Sequence, residues 1–337
     1  MNLTENFITF ATEYFNRRYE SGDIAFHTWA NSLSRLRDFS SFLERKGYGK
    51  AIGFGTITDS LLQKYKQDCL ARGNAATTVN RKLLPLLMAV RQAGKEGLMN
   101  PETVLRLSSP YLKSSKNLYR GADEADPVRF LSQQQLASLV AYYEQLPSGH
   151  RRDVLDVFLF SFHACGLRIS DIITLEWRHI NEKESILTKT LVKTHGRLVI
   201  PLSAQAMDIL GRWKREGRNP RFVFDLLPPD FDYSDRGALE KAIDNRNRRI
   251  RAVLNAVGRE LGFPFPLGMH VARHTFAVMA LNASRLDVHL ISRLLGHSSV
   301  TITEKVYATF LMPTLSTELR NHLSFPEFGV IAKKEGG

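Results

Sequence analysis

The sequence predicts a mainly α-helical protein of the α+β class, built as two domains. Three observations predict it. Apolar residues recur at three- and four-residue spacings through most of the chain. One pair of β-forming segments, SILTKT and GRLVIPLS, flanks His195-Gly196 as a hairpin would. A stretch with no apolar period, SSPYLKSSKNLYRGADEADP over 108–127, interrupts the helical pattern and reads as a linker. The 337 residues suffice for two domains at ~150 residues each.

Residues 1–107 read as a bundle of four helices joined by short links. ENFITFATEYFNRRYE is the first, and HTWANSLSRLRDFSSFLERKG the second, with Gly47 as its stop. TITDSLLQKYKQDCLARG opens at a cap, Thr58 or Asp59, and closes at Gly73. The fourth, AATTVNRKLLPLLMAVRQAGKEG, contains Pro85, which should kink it or mark its true start. Thr77, Asn80, Arg81 and Lys82 gather at its leading end. Hydroxyl and basic groups there suit phosphate contact, the plain alternative being a solvated helix face.

Residues 128–315 form a second, mixed helical domain with a small antiparallel sheet. Two helices, FLSQQQLASLVAYYEQL and DVLDVFLFSFHACGL, precede the hairpin. AQAMDILGRWKREG and ALEKAIDNRNRRIRAVLNAVGREL follow it, the latter carrying the cluster RNRRIR at 246–251. HVARHTFAVMALNAS, DVHLISRLLGH and TITEKVYATFL complete the domain, and 316–337 remain as a tail with one amphipathic segment. The helical pattern starts almost at Met1, so no further N-terminal domain is expected.

With 43% hydrophobic and 24% charged residues, the composition excludes a disordered or fibrous chain. Two cysteines, Cys69 and Cys165, exclude a disulfide framework and suggest a reducing compartment. The N-terminus lacks the pattern of a secretory signal, and no apolar run reaches the ~18 residues of a membrane helix. A soluble, cytoplasmic protein is expected. The net charge of +12 points to a polyanionic partner. The basic surplus is 8 over residues 1–120 and 4 over the remainder, so the first domain is the more positive.

Three segments carry the chemistry. In ACGLRISDIITLEWRHI, Arg168 follows a Gly-Leu turn, with Asp171 one helical turn on. In HVARHTF, His270 and Arg273 share a helix face. In LLGHSSVTITEKVYATF, His297 follows a glycine break and Tyr307, the last tyrosine of the chain, lies one short helix later. His270 and His274 have the spacing of zinc ligands, but the Glu of an HExxH site is missing and no third ligand is evident. No metal and no cofactor are expected.

Together these segments resemble the tyrosine recombinase (phage integrase) family, whose pattern runs GLR-S-acidic, a hairpin lysine, HxxRH[TS], LGHSS and then a nucleophilic tyrosine. The match in order and spacing covers 129–315, and the T-x-N-R stretch and GLMNPE resemble the family's core-binding domain. The resemblance implies that Arg168 and Arg273 clamp a DNA phosphate without a metal. It implies that His270 and His297 donate to the phosphate and accept the tyrosine proton, and that Tyr307 is the nucleophile of a 3′-phosphotyrosyl link. Asp171 would support an active-site cation. Of the hairpin cations Lys189, Lys193 and Arg197, Lys193 best matches the family's lysine, the general acid for the 5′-oxygen.

One departure stands out. Ten residues separate His297 from Tyr307, where the family has nine. The activity implied is site-specific recombination of double-stranded DNA through a Holliday junction, in a homotetramer on DNA in a prokaryotic cytoplasm, with room for an accessory DNA-bending factor and none for a membrane. A type IB topoisomerase-like activity and a non-catalytic DNA-binding relative are the alternatives. The tail would dock on a neighbouring protomer or pack on its own domain.

Overall fold

The computed structural model describes residues 6–107, 128–283, 287–297, 299–301, 303, 304 and 307. The expected linker over 108–127 and the tail over 316–337 lie outside the described residues. The chain divides into two compact units, 1–125 and 126–337, each with its own core.

The first unit packs α1 (Phe7–Glu20), α2 (Phe26–Arg45), α3 (Asp59–Ala71), α4 (Ala76–Lys95) and α5 (Pro101–Arg106) around Phe7, Phe15, Phe39, Phe42, Tyr65 and the leucines of α4. The α3 cap is Thr58, whose hydroxyl accepts from Leu61 N. Five helices stand where four are expected, because Asn100 caps and Pro101 opens a short extra one.

Pro85 is the clearer correction. It neither starts nor ends α4, which runs unbroken from Ala76 to Lys95. Pro85 is buried beside Leu86, Leu87, Ala89 and Val90, and the packing of that apolar face outweighs one lost backbone hydrogen bond.

The second unit begins with α6 (Gln133–Glu144), fixed by a capping box between Ser132 and Gln135, and α7 (His150–His163), which lies at the centre of the core. A five-residue α8 (Ile169–Ile173) follows the glycine turn. The sheet has three antiparallel strands rather than the predicted two, in the order β1 (Ile180–Asn181), β2 (Ile186–Thr190), β3 (Arg197–Pro201). The two-residue β1 is too short to leave a periodic trace. Helices α9 (Ala204–Glu216), α10 (Arg236–Glu260), α11 (Met269–Ala283) and α12 (Val288–Leu294) complete the unit, and Thr301, Thr303, Glu304 and Tyr307 are helical again. Among the described residues, no helix is long and apolar enough to cross a membrane.

Lys82 corrects the basic cluster of the first unit. Thr77 and Arg81 are exposed, but Lys82 is largely covered, its Nζ donating to Asp38 Oδ2 at 3.0 Å. Asp38 also accepts from Arg72 at 2.9 Å and from the Tyr65 hydroxyl at 2.7 Å. Burial alone would push this carboxyl up. The hydrogen bonds from Arg72, Tyr65 and Lys82 outweigh it and hold Asp38 well below the usual carboxylate range.

Lys82 is thus part of a structural knot tying α2, α3 and α4. Asp38→Asn should lower the stability of the first unit by about 1–3 kcal/mol at neutral pH, read by urea unfolding. Because the folded pKa is depressed, the gap from wild type should close as pH falls below the unfolded carboxylate value of ~4.

Candidate active site

Two glycines shape the frame that holds Arg168 and Arg273. Gly166 has φ +72°, and a Cβ there would lie 3.1 Å from the Arg273 backbone. Its carbonyl accepts from Arg273 Nη1 at 2.8 Å. Gly296 has φ +61°, and a Cβ would meet Leu191 Cδ1 at 2.6 Å. Its carbonyl accepts from Arg168 Nη1 at 3.2 Å. Only glycine reaches this conformation without strain, so the GLR and LGH motifs are backbone requirements as well as chemical ones.

The Leu295 carbonyl, at the end of α12, accepts from Arg273 Nη2 at 2.7 Å and from Arg168 Nη1 at 3.4 Å. The two guanidiniums therefore converge from α11 and from the N-cap of α8. Their hydrogen bonds go to neutral carbonyls. Burial, followed by repulsion from Arg168, pushes Arg273 down to about 10, and burial likewise lowers Arg168. Such a pair favours an anion with oxygens to share.

Asp171 is fully buried on α8. Its Oδ1 accepts from the Val192 amide at 2.7 Å, gripping the backbone next to Lys193, while Oδ2 has no hydrogen-bond partner among the described residues. Desolvation raises its pKa, against opposing pulls from Lys189, Arg168 and Arg273. Asp171 thus anchors the hairpin turn and offsets the arginine charges.

The structure separates the hairpin cations. Lys189 lies on the buried face of β2, its Nζ donating to the Thr174 carbonyl at the end of α8 at 2.7 Å, and burial pushes it down to about 8. Lys193 is exposed on the turn between β2 and β3, where Leu191 N bonds Gly196 O and His195 takes a positive φ of 54°. The Lys193 charge reaches His270. Loss of hydration, followed by Arg273, Lys193, Arg168 and Arg251, pushes that imidazole below its ordinary value. Four cations therefore focus on one histidine.

His297 and Tyr307 complete the group. His297 Nδ1 pairs with the Thr303 hydroxyl at 2.7 Å, and burial with Arg273 and Arg168 pushes it down to about 4. The Tyr307 ring is buried among Ala277, Val278, Leu281, Ile291 and Leu295, and burial pushes its phenol up to about 12. Its hydroxyl lies 2.7 Å from Nδ1 of His274. The partner is neither His270 nor His297, the histidines the resemblance singles out. His274 is the residue that sequence reasoning missed. Its signal was HxxxH spacing, weighed only as a metal site.

A cavity of about 940 Å³ opens beside His270, walled by Arg129, Asn247, Arg251, Asn255 and His274. Asn247, Arg251, Asn255 and Arg259 recur every four residues along one face of α10. Asn255 Oδ1 is buried with no hydrogen-bond partner. The RNRRIR cluster hid this stripe, because only one of its arginines belongs to it. Among the described residues, no three His, Cys, Asp or Glu side chains gather as metal ligands would.

The fold and this arrangement define a class with known relatives. A model of the phage integrase family matches residues 129–312, and one of the phage integrase SAM-like domain matches 6–106. The chain belongs to the phage integrase family of tyrosine recombinases and is an enzyme of that class, a tyrosine site-specific recombinase.

Tyrosine recombinase XerD of Pseudomonas aeruginosa is 28% identical over 276 residues, 80% of this chain and 82% of that protein. Two solved structures share the fold. The Tn1549 transposon integrase in complex with transposon right end DNA aligns with a TM-score of 0.65 and 14% identity, over 93% of this chain and 99% of that one. A lambda integrase tetramer bound to a Holliday junction aligns with a TM-score of 0.59 and 17% identity, over 88% and 76%.

The buried carboxylate yields a prediction. A raised folded pKa means Asp171 costs nothing below its unfolded value and destabilises as pH rises above it. Asp171→Asn keeps an acceptor for Val192 and removes the charge. Its melting temperature should exceed wild type at neutral pH, with the difference vanishing as pH falls toward ~4. Equal melting temperatures at neutral pH would mean the carboxylate is compensated.

Proposed function

We propose that this chain cleaves and rejoins specific double-stranded DNA sites through a 3′-phosphotyrosyl intermediate and a Holliday junction, acting as a tetramer on DNA. The observation that carries the reading is the convergence of Arg168 and Arg273 on the Leu295 carbonyl, with the Tyr307 hydroxyl held by His274 on the same helix as Arg273. A scissile phosphate is the ligand such a site suits.

In this reading, Arg168 and Arg273 hold the non-bridging oxygens and take up the charge that grows on the pentacoordinate phosphorus, the electrostatic task a metal performs elsewhere. Their fixed carbonyl contacts pre-organise both forks before DNA arrives. His270 and His297, their basicity lowered by burial and then by the neighbouring cations, contribute hydrogen bonds to the phosphate. Tyr307 attacks, the 3′ side becomes covalently bound, and Lys193 protonates the departing 5′-oxygen. Asp171 holds the turn that presents Lys193.

The DNA-contacting roles divide between the units. The first supplies its positive surplus, with Thr77, Asn80 and Arg81 as contacts on α4, whereas Lys82 stays with Asp38. The second supplies Asn247, Arg251 and Arg259 of the α10 stripe, whereas Asn255, whose Oδ1 is buried, lies behind them. Arginine and asparagine are the side chains that pair bidentately with guanine and adenine edges. The lambda integrase tetramer on a Holliday junction supports the assembly by likeness of fold. Integration, excision or inversion of DNA is the outcome the reading covers.

Tyr307→Phe should bind DNA with wild-type affinity and form no denaturant-resistant adduct on a nicked site, whereas wild type forms it even in EDTA. An adduct with the Phe variant would dismiss Tyr307 as nucleophile. Lys193→Ala should cleave an ordinary phosphodiester at least ~10²-fold more slowly, yet approach wild type when the bridging 5′-oxygen is sulfur, which leaves without a proton. Equal impairment on both substrates would remove Lys193 from the acid role.

A further inference from the structure

Cleavage needs a group to take the phenolic proton, and the geometry around Tyr307 narrows the choice. Its hydroxyl is 2.7 Å from His274 Nδ1, a full hydrogen-bond contact. His297 Nδ1 is engaged by Thr303 at the same distance. His270 lies one turn back on α11, its ring 6.2 Å from that of His274, at the exposed rim with the four cations. Of these three histidines, only His274 touches the reacting oxygen.

We propose that His274 is the base that accepts the Tyr307 proton during strand cleavage and returns it during rejoining. The proposal rests on Tyr307 being the nucleophile. The proposal requires the tautomer protonated on Nε2, so that Nδ1 accepts. As the phenolic oxygen bonds to phosphorus, its proton moves to Nδ1. The bond from phosphorus to the 5′-oxygen breaks, and that oxygen takes a proton from Lys193. Rejoining runs the same transfers backwards: the 5′-hydroxyl gives its proton to Lys193 as it attacks, and Nδ1 reprotonates the departing phenolate.

The environment keeps the acceptor open, and with so weak a base the proton moves together with P–O bond formation rather than ahead of it. Burial, His270 and Arg273 push the imidazole down to about 4, so it is neutral at physiological pH with its acceptor available. Arg273 lies close enough to Tyr307 to stabilise the developing phenolate. The buried phenol, pushed up to about 12, would otherwise ionise too rarely.

The test combines His274→Gln with fluorotyrosines of falling phenol pKa incorporated at position 307. A glutamine accepts the hydrogen bond but cannot take the proton. H274Q should bind a nicked site normally and form the covalent adduct ~10²-fold or more slowly. Most of the deficit should disappear with the most acidic fluorotyrosine. A deficit constant across the series would make His274 a positioning residue and overturn the proposal. So would an H274Q rate equal to or above wild type, which would mark the contact as a passive restraint.

A second measurement needs no change at 274. On the bridging-sulfur substrate, where no leaving-group proton moves, His274 acting as the base predicts a solvent deuterium isotope effect on wild-type cleavage. It should vanish once the tyrosine analogue is already ionised, and persistence across the series would place the transferred proton elsewhere. An adduct formed by Tyr307→Phe would instead overturn the assignment of the nucleophile.

Discussion

Much of the second unit is organised around one carbonyl oxygen. Leu295 ends α12, and its oxygen receives donors from both Arg273 and Arg168. That contact ties α11, the turn into α8 and the last turn of α12 to a single point. At Gly166 a methyl group would press on the Arg273 backbone, and at Gly296 it would meet the end of the Leu191 side chain. Burying two guanidiniums together is unfavourable in itself, as the lowered basicity of both indicates. The fold tolerates it because carbonyl dipoles and the buried Asp171 offset part of the cost. The remaining positive potential is available to a phosphate.

Asp171 extends that constraint to the hairpin. Its one paired oxygen fixes Val192, and so sets where the turn bearing Lys193 begins. Lys189, on the inner face of the same hairpin, closes the end of α8 by donating to Thr174. The two lysines differ by four residues and by almost everything physical. One is buried, depressed and committed to a helix end, while the other is exposed and can reach a substrate. Exposure thus distinguishes Lys193 from Lys189, and it is the exposed lysine to which the proposed acid role is given.

How much of this was legible in sequence follows from range. The helices and their stops were readable, because caps such as Thr58 and glycines such as Gly47 act within a turn of their own position. Pro85 does not mark the start of α4, since the packing that keeps it inside the helix comes from other helices. Arg168, Arg273, His297 and Tyr307 could be named from spacing within short motifs. The Lys82–Asp38 contact joins residues 44 apart in sequence, and no local pattern announces it. His274 sat inside a motif already noticed, but its role depends on a tyrosine 33 residues away. The α10 stripe was masked by neighbouring arginines that face elsewhere.

The placement of Tyr307 joins chemistry to packing. Its ring belongs to the small cluster of Ala277, Val278, Leu281, Ile291 and Leu295, so the proposed nucleophile is held by the same residues that bring α12 onto α11. Leu295 contributes its side chain to the tyrosine and its carbonyl to the arginines. Any shift of α12 that re-aims the guanidiniums would therefore also move the phenol. The extra residue between His297 and Tyr307 falls in the segment that must span these two anchors, His297 on Thr303 and Tyr307 on His274. Both anchors are made despite it. With this spacing the Tyr307 hydroxyl is bonded to a histidine on α11, held there by a contact at its tip and by its packed ring.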